Sequence, residues 1–357
     1  MRQRLARIDF IGNLIFIIAN TSILIALTWG GAVHPWKSYQ VLVPLITGFL
    51  GLGLFTAFEW SPNWCPEPSF PKSVVGNRTS GAAMLLTFLH AICTYWAIYY
   101  LPIYFQSLRH ASPLKSGVYT LPTFVGVVPF AMVGGVILSK TGRYKPIHLV
   151  GFTFLTVSYG LFSLLNRDST PSAWVCFQLV GALGVGLLAA ILLPAVQAPL
   201  PESLVASSTS VWSFARGFGA LFAFTIPSAV FNSESARRAG DISDPVIAAA
   251  LGGGQAYQYA TATFVNSITD ETVRGQVLDL FHGALRLVWL VAIAFAGLGF
   301  VAVFIEREVK LREELNTEFG LEDRKVDNKK LTRAGGNVAP AITESEMGNT
   351  PRDGTMV

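Results

Sequence analysis

The sequence predicts an all-α membrane protein of about eight transmembrane helices. Three observations carry this reading. Of 357 residues, 52% are hydrophobic and only 13% are charged, about half the charge of a soluble domain. The mean hydropathy is +0.48. Eight apolar runs approach the roughly 20 residues that a helix needs to cross a bilayer. Too few charges remain to cover a water-facing surface, so the expected solvent is lipid.

The runs are Phe10–Trp29, Val41–Phe58, Ala82–Phe105, Val118–Leu138, Ile147–Leu165, Ala173–Ala195, Val211–Phe231 and Leu287–Ile305. The second is the shortest. The first has too long an apolar stretch for a cleaved signal peptide, and no A-x-A-like site precedes a soluble domain. Pro44, Pro102, Pro122, Pro129, Pro194 and Pro227 fall inside runs. Membrane helices tolerate them because neighbouring helices satisfy the freed backbone groups.

Lys and Arg set the expected orientation. With the N-terminus inside, Arg2, Arg4, Arg7, Lys72, Arg78, Lys140, Arg143 and Lys145 are cytoplasmic, and nine more follow Ile305. The outer segments hold Lys37, Arg109, Lys115, Arg167, Arg237, Arg238 and Arg274. The short loops favour this orientation slightly, and the basic tail strengthens it. Both termini are then cytoplasmic.

Residues 232–283 read as a polar insert on the outer side. Asp244-Pro245 and Thr269-Asp270-Glu271 signal helix starts there, and Gly252-Gly253-Gly254 signals a stop. From Val273, the spacing of Val277, Leu278, Phe281 and Leu285 predicts an amphipathic helix leading into the last span. Beyond Ile305 the mixed charges predict a short interfacial helix, then disorder from about Lys325.

Few motifs suggest enzyme chemistry. Gly181, Gly184 and Gly186 lie inside an apolar run, where close helix packing explains them better than a dinucleotide fingerprint. Asn77-Arg78-Thr79 matches a glycosylation sequon but falls on the cytoplasmic side. The histidines, His34, His90, His110, His148 and His282, share no metal-ligand spacing. The cysteines, Cys65, Cys93 and Cys176, are scattered, and Cys93 and Cys176 read as small packing residues. No enzyme activity, cofactor, metal or nucleic-acid partner is expected.

Two ionisable residues fall within runs, His90 and Arg216. Such residues usually face a bundle interior or a watery cavity. A hydrogen-bonded core histidine, or an arginine reaching to the surface, is the competing reading. The third run places Phe88, Ile92, Tyr95, Tyr99, Pro102 and Gln106 on one helix face. Tyrosine hydroxyls, an amide and a proline kink on one face can line a cavity for a flat amphipathic compound. An aromatic belt at the outer interface is the alternative, and suits Tyr104 and Phe105 better than Tyr95.

Between the fourth and fifth runs stands "GGVILSKTGRYKP", residues 134–146. Gly135, Lys140, Gly142, Arg143 and Lys145 resemble the cytoplasmic loop motif of major facilitator superfamily transporters, roughly G-x-L-a-D-R-x-G-R-K. Ser139 stands where the acidic residue is usual. The family places this loop between the second and third helices of each six-helix half. The third to eighth runs then make one half, with two extra helices in front. "RIDFIGN", "NRTS", "YYLPIYFQ", "SGVYTLP" and "WSFARGFG" fit the same branch. Together, from about Arg7 to Glu308, the sequence resembles the C-terminal portion of a fourteen-span fungal drug:proton antiporter.

The resemblance implies this layout. Residues 1–60 are the two extra helices, 61–81 a cytoplasmic loop, 82–306 the six-helix half with its outer insert, and 307–357 a charged cytoplasmic tail. It also implies efflux of drugs, toxins or secondary metabolites by alternating access, driven by protons, at the plasma membrane. Gly135, Lys140, Gly142, Arg143 and Lys145 would form the cytoplasmic gate, and His90, Tyr95, Tyr99, Gln106 and Arg216 the substrate cavity. The partners implied are small amphipathic substrates, protons and the lipid bilayer. The first six helices of the family have no counterpart in the sequence, and no buried acid stands in the runs, since Asp9 and Glu59 fall at run ends. Either the chain is a truncated product or it pairs with a separate first half. Alone it is expected not to transport. A membrane protein that binds or regulates another transporter is the alternative. A seven-helix receptor fits less well, given the eighth run and the loop motif.

Overall fold

The computed structural model describes residues 9–31, 33–65 and 68–309. Among the described residues, eight long helices carry the fold, and the sole β feature is an isolated bridge between Gly30 and His34. The helices are α1 (Phe10–Trp29), α2 (Tyr39–Glu59), α3 (Arg78–Ser107), α4 (Pro113–Thr141), α5 (Lys145–Phe162), α6 (Pro171–Gln197), α7 (Val205–Arg238) and α8 (Glu271–Ala302). Each contains or overlaps one predicted run. Seven are long and apolar enough to cross a membrane. The exception is α5, whose first turn carries Lys145 and His148.

The starts of the helices are written locally. Asp9 Oδ1 accepts from the Gly12 N–H at 2.8 Å and caps α1. Asn77 caps α3 by accepting from Thr79 and Ser80 at 3.0 and 2.9 Å, which engages the side chain of the sequon. Ser112 and Thr170 each precede a proline at the first helical position. Asp244 and Asp270 cap Pro245–Gly252 and α8, as the insert's start signals predict. The amphipathic stretch and the last run are one continuous helix, α8. All six interior prolines remain helical.

Helices α1 and α2 form a hairpin that meets the rest through α7. In the six-helix bundle, α8 packs against α3, α5 and α7, while α6 packs against α3, α4 and α5. The glycines of α6 make the close approaches. A Cβ on Gly184 would lie 2.8 Å from Gly151 O, and one on Gly186 would lie 2.6 Å from Val127 O. Trp96, Tyr100, Tyr104, Tyr159 and Trp289 fill the centre, each at most 1% exposed. Cys93 is buried among them, whereas Cys176 is exposed rather than packed.

The outside is apolar. Ile17, Leu50, Val125 and Met132 are 60–68% exposed on α1, α2 and α4. Water would penalise such a surface, while hydrocarbon suits helices whose backbone bonds are closed internally. After Ile305, residues Glu306–Val309 run without regular structure. The interfacial helix expected to open here is thus absent from these four residues, while the rest of that stretch and the disorder expected from about Lys325 lie outside the described residues.

Candidate functional site

A cavity of about 300 Å³ opens inside the six-helix bundle. Five helices wall it: Tyr95 and Thr94 on α3, Thr123 and Phe124 on α4, Ser158 and Tyr159 on α5, Gln178 and Gly181 on α6, and Arg216 on α7. Most of the surface is apolar, with a few polar residues in the lining, as in sites that hold amphipathic small molecules.

Gln178 is the most firmly held of these groups. It is fully buried. Its Oε1 accepts from Thr123 Oγ at 2.9 Å, and its Nε2 donates to the carbonyls of Tyr119 and Trp174 at 2.9 and 3.2 Å. An amide so tied ties α4 to α6 and fixes the cavity wall. Arg216 brings the one formal charge of the wall. Its guanidinium lies 4.9 Å over the Trp212 ring. None of the ion pairs among the described residues involves it. The aromatic face partly offsets the desolvation of the cation.

Of the five residues predicted to form the cavity, Tyr95 and Arg216 line it. The other three do not. Tyr99 stacks on Tyr95 with ring centroids 6.4 Å apart and is 44% exposed. His90 is buried one layer back, 3.2 Å from Val185 O and 3.3 Å from Thr94 Oγ. Gln106 donates to Ser116 Oγ at 3.1 Å, a clasp between α3 and α4. The shared-face expectation fails at its ends because other helices cover them. Phe88 packs on Phe218 of α7 at 5.2 Å, and Ile92 is 1% exposed. Gln178, Thr123 and Ser158 were not legible, since a neutral polar residue within an apolar run does not show which helix it will face.

At one end of the bundle, α4 closes at Gly142. Its φ of +64° is left-handed, a conformation that glycine adopts freely, and its N–H donates to Leu138 O at 2.8 Å. Lys140 and Arg143 are exposed, and Gly135 has open space around it. Lys145 Nζ donates to Glu306 O at 2.7 Å, just past the end of α8. Tyr144 OH donates to Arg307 O and accepts from the Val309 N–H at 2.9 Å. Burial pushes the Tyr144 phenol above its usual range. Arg78 Nε also donates to Ile305 O, at 2.7 Å. The loop motif therefore holds the segment that follows α8 against the start of α3.

Acids are also buried where none was expected. Glu59, Glu234 and Glu306 are 2%, 6% and 1% exposed. Glu306 pairs with His148, and Glu234 with Arg237 and Arg238 at 2.6 and 2.5 Å. Glu59 is met by the loop at Phe70, Glu234 by the next helical turn, and Glu306 by the first turn of α5. Glu59 ends α2 as expected, but it is buried there, and the expectation of no buried acid is corrected.

No family model matches the chain. Individual relatives do. An MFS-type transporter of Acremonium sp, ucsD, is 53% identical over 325 residues, covering 91% of this chain and 55% of the relative. The MFS-type transporter gkaD of Penicillium citrinum is 46% identical over 323 residues, with 90% and 55% covered. The efflux pump FUS6 of Gibberella moniliformis is 39% identical over 339 residues, with 95% and 60% covered. The chain thus spans little more than half the length of these relatives. With this identity along nine-tenths of its length, and seven helices fit to cross a bilayer, the chain is an integral multi-pass membrane protein that belongs to the family of fungal MFS-type transporters.

Proposed function

We propose that the chain is the C-terminal portion of an efflux transporter, one that exports small amphipathic compounds by alternating access driven by protons. Drugs, toxins or secondary metabolites are the substrate class, and the plasma membrane, with both termini in the cytoplasm, is the setting. The observation that carries this reading is the cavity of about 300 Å³, where Tyr95, Gln178 and Arg216 converge from three helices. A flat ring stacks on Tyr95, a carbonyl or anionic group meets Arg216, and the apolar walls take the remainder.

Alternating access needs one half of a transporter to rock against another around a shared site. In this reading the chain supplies one wall, and a first half supplies the facing wall. The loop at Lys140–Lys145 sits at the cytoplasmic gate, and Lys145 already meets a carbonyl beyond a helix end, where cations are favoured.

The test is dye export from a pump-deficient yeast. Cells expressing this chain alone are expected to retain the dye. Cells that also express a first half from a homologous pump are expected to export it when a proton gradient is present. Export by the chain alone contradicts the half-transporter reading. Binding to an already complete pump, without restored export, favours a regulatory role.

A further inference from the structure

The fold gathers two acids and a thiol at one end of the α1–α2 hairpin. Asp9 precedes α1, Glu59 ends α2, and Cys65 lies in the loop that follows. One ligand atom from each lies within 4.8 Å of the others. Glu59 and Cys65 are 2% and 5% exposed, and Asp9 is half-buried.

Both carboxylates are arranged in the same manner. Each has one oxygen fixed by a backbone N–H: Asp9 Oδ1 by Gly12 at 2.8 Å, and Glu59 Oε2 by Phe70 at 2.9 Å. The other oxygen of each, Asp9 Oδ2 and Glu59 Oε1, is buried with no hydrogen-bond partner among the described residues. Backbone amides that orient a carboxylate while its second oxygen stays open are the outer-shell pattern of metal sites. Two desolvated carboxylate oxygens brought together need either a shared proton or a cation between them. Gly12 keeps the space for this arrangement. A Cβ there would lie 1.8 Å from Asp9 Oδ2.

The third donor selects the cation. Calcium and magnesium take all-oxygen shells. A sulfur with two carboxylates suits a borderline-soft ion of the zinc class. A bridging proton would make no use of the sulfur. We infer that Asp9, Glu59 and Cys65 form a binding site for a divalent transition metal of the zinc class, with the fourth position open to water. The ion would staple the start of α1 to the end of α2 and to the loop that returns at Phe70.

The test uses cobalt(II) as the probe on the full chain, purified in detergent with a tag free of histidine. One equivalent of cobalt is expected to bind, with a thiolate-to-cobalt charge-transfer band, and zinc is expected to displace it. Cys65→Ser is expected to abolish the band. Asp9→Asn and Glu59→Gln are expected to lower cobalt affinity by at least about 10-fold, a loss typical even of outer-shell changes. Gly12→Ala is expected to weaken binding by evicting the Asp9 oxygen. Cys176→Ser, at the exposed cysteine of α6, is expected to leave the band intact. Absence of stoichiometric cobalt, or a band that survives Cys65→Ser, overturns the site. So does an infrared band of a protonated carboxyl, lost in Glu59→Gln, in protein that takes up no cobalt. If Glu59→Gln does not fold, Cys65→Ser alone decides, because it preserves volume.

Discussion

His148 Nδ1 lies 2.8 Å from Glu306 Oε2, and neither side chain is exposed. The pair joins the first turn of α5 to the segment beyond α8. Tyr144, Lys145, Arg78 and Thr79 hold the same segment through its backbone. Removing one partner leaves the other polar, buried and unpaired. Glu306→Ala is expected to destabilise the protein by about 1–3 kcal/mol, the cost of a buried polar group left without its partner. Thermal unfolding in detergent measures this. The double variant His148→Leu/Glu306→Leu is expected to lose less than the sum of the single changes, because the two groups are coupled.

Gly142 separates backbone strain from side-chain crowding. A Cβ there meets nothing within 4 Å, yet φ is +64°. Gly142→Ala is therefore expected to cost about 1–2 kcal/mol by conformation alone. Gly142→Asn is expected to cost less, since asparagine tolerates the left-handed region. Equal losses in the two variants would place the role of Gly142 elsewhere.

Gly186 tests the opposite case. Its Cβ would meet Val127 O and Ala131 N at 2.6 and 2.9 Å, with backbone on both counts. Gly186→Ala is expected to part α6 from α4 at a cost of about 1–3 kcal/mol. Gly135→Ala, with open space around it, is the matched control and is expected to be neutral or nearly so. The unfolding temperatures of the two variants decide the comparison.

Within a functional pair of halves, Tyr95 and Arg216 are expected to act on substrate binding. Tyr95→Ala removes an aromatic contact of about 0.5–1.5 kcal/mol, so KM for dye export is expected to rise several-fold. Arg216→Gln is expected to discriminate among substrates, weakening export of anionic dyes more than cationic ones. His90→Gln, one layer behind the wall, is expected to change stability more than selectivity. Equal effects on dyes of both charges would remove Arg216 from the site.

The elements whose cause is local were legible in the sequence. Asp270 marks the start of α8, and Gly142 the stop of α4, because a cap or a left-handed turn is set by neighbouring residues. Gly184 and Gly186 announced close packing for the same reason, although their partners on α5 and α4 did not show. Long-range partners were hidden. Glu306 reads as part of a charged tail until the fold brings His148 beside it. Glu59 reads as a helix end until the loop at Phe70 covers it. In the cavity, Arg216 stood out because a charge within an apolar run is costly. Gln178 did not, since its neutral amide is satisfied only by Thr123, Tyr119 and Trp174.

The most direct measurement of the central claim is substrate protection at the cavity wall. Phe124→Cys is placed in a Cys176→Ser background and co-expressed with a first half. The rate at which a small thiol reagent modifies position 124 is then followed with and without an exported dye. The expected result is several-fold slowing at dye concentrations near the KM for export, relieved when Tyr95 is changed to alanine. An unchanged rate, in cells that export the dye normally, would contradict the assignment of this cavity as the substrate path.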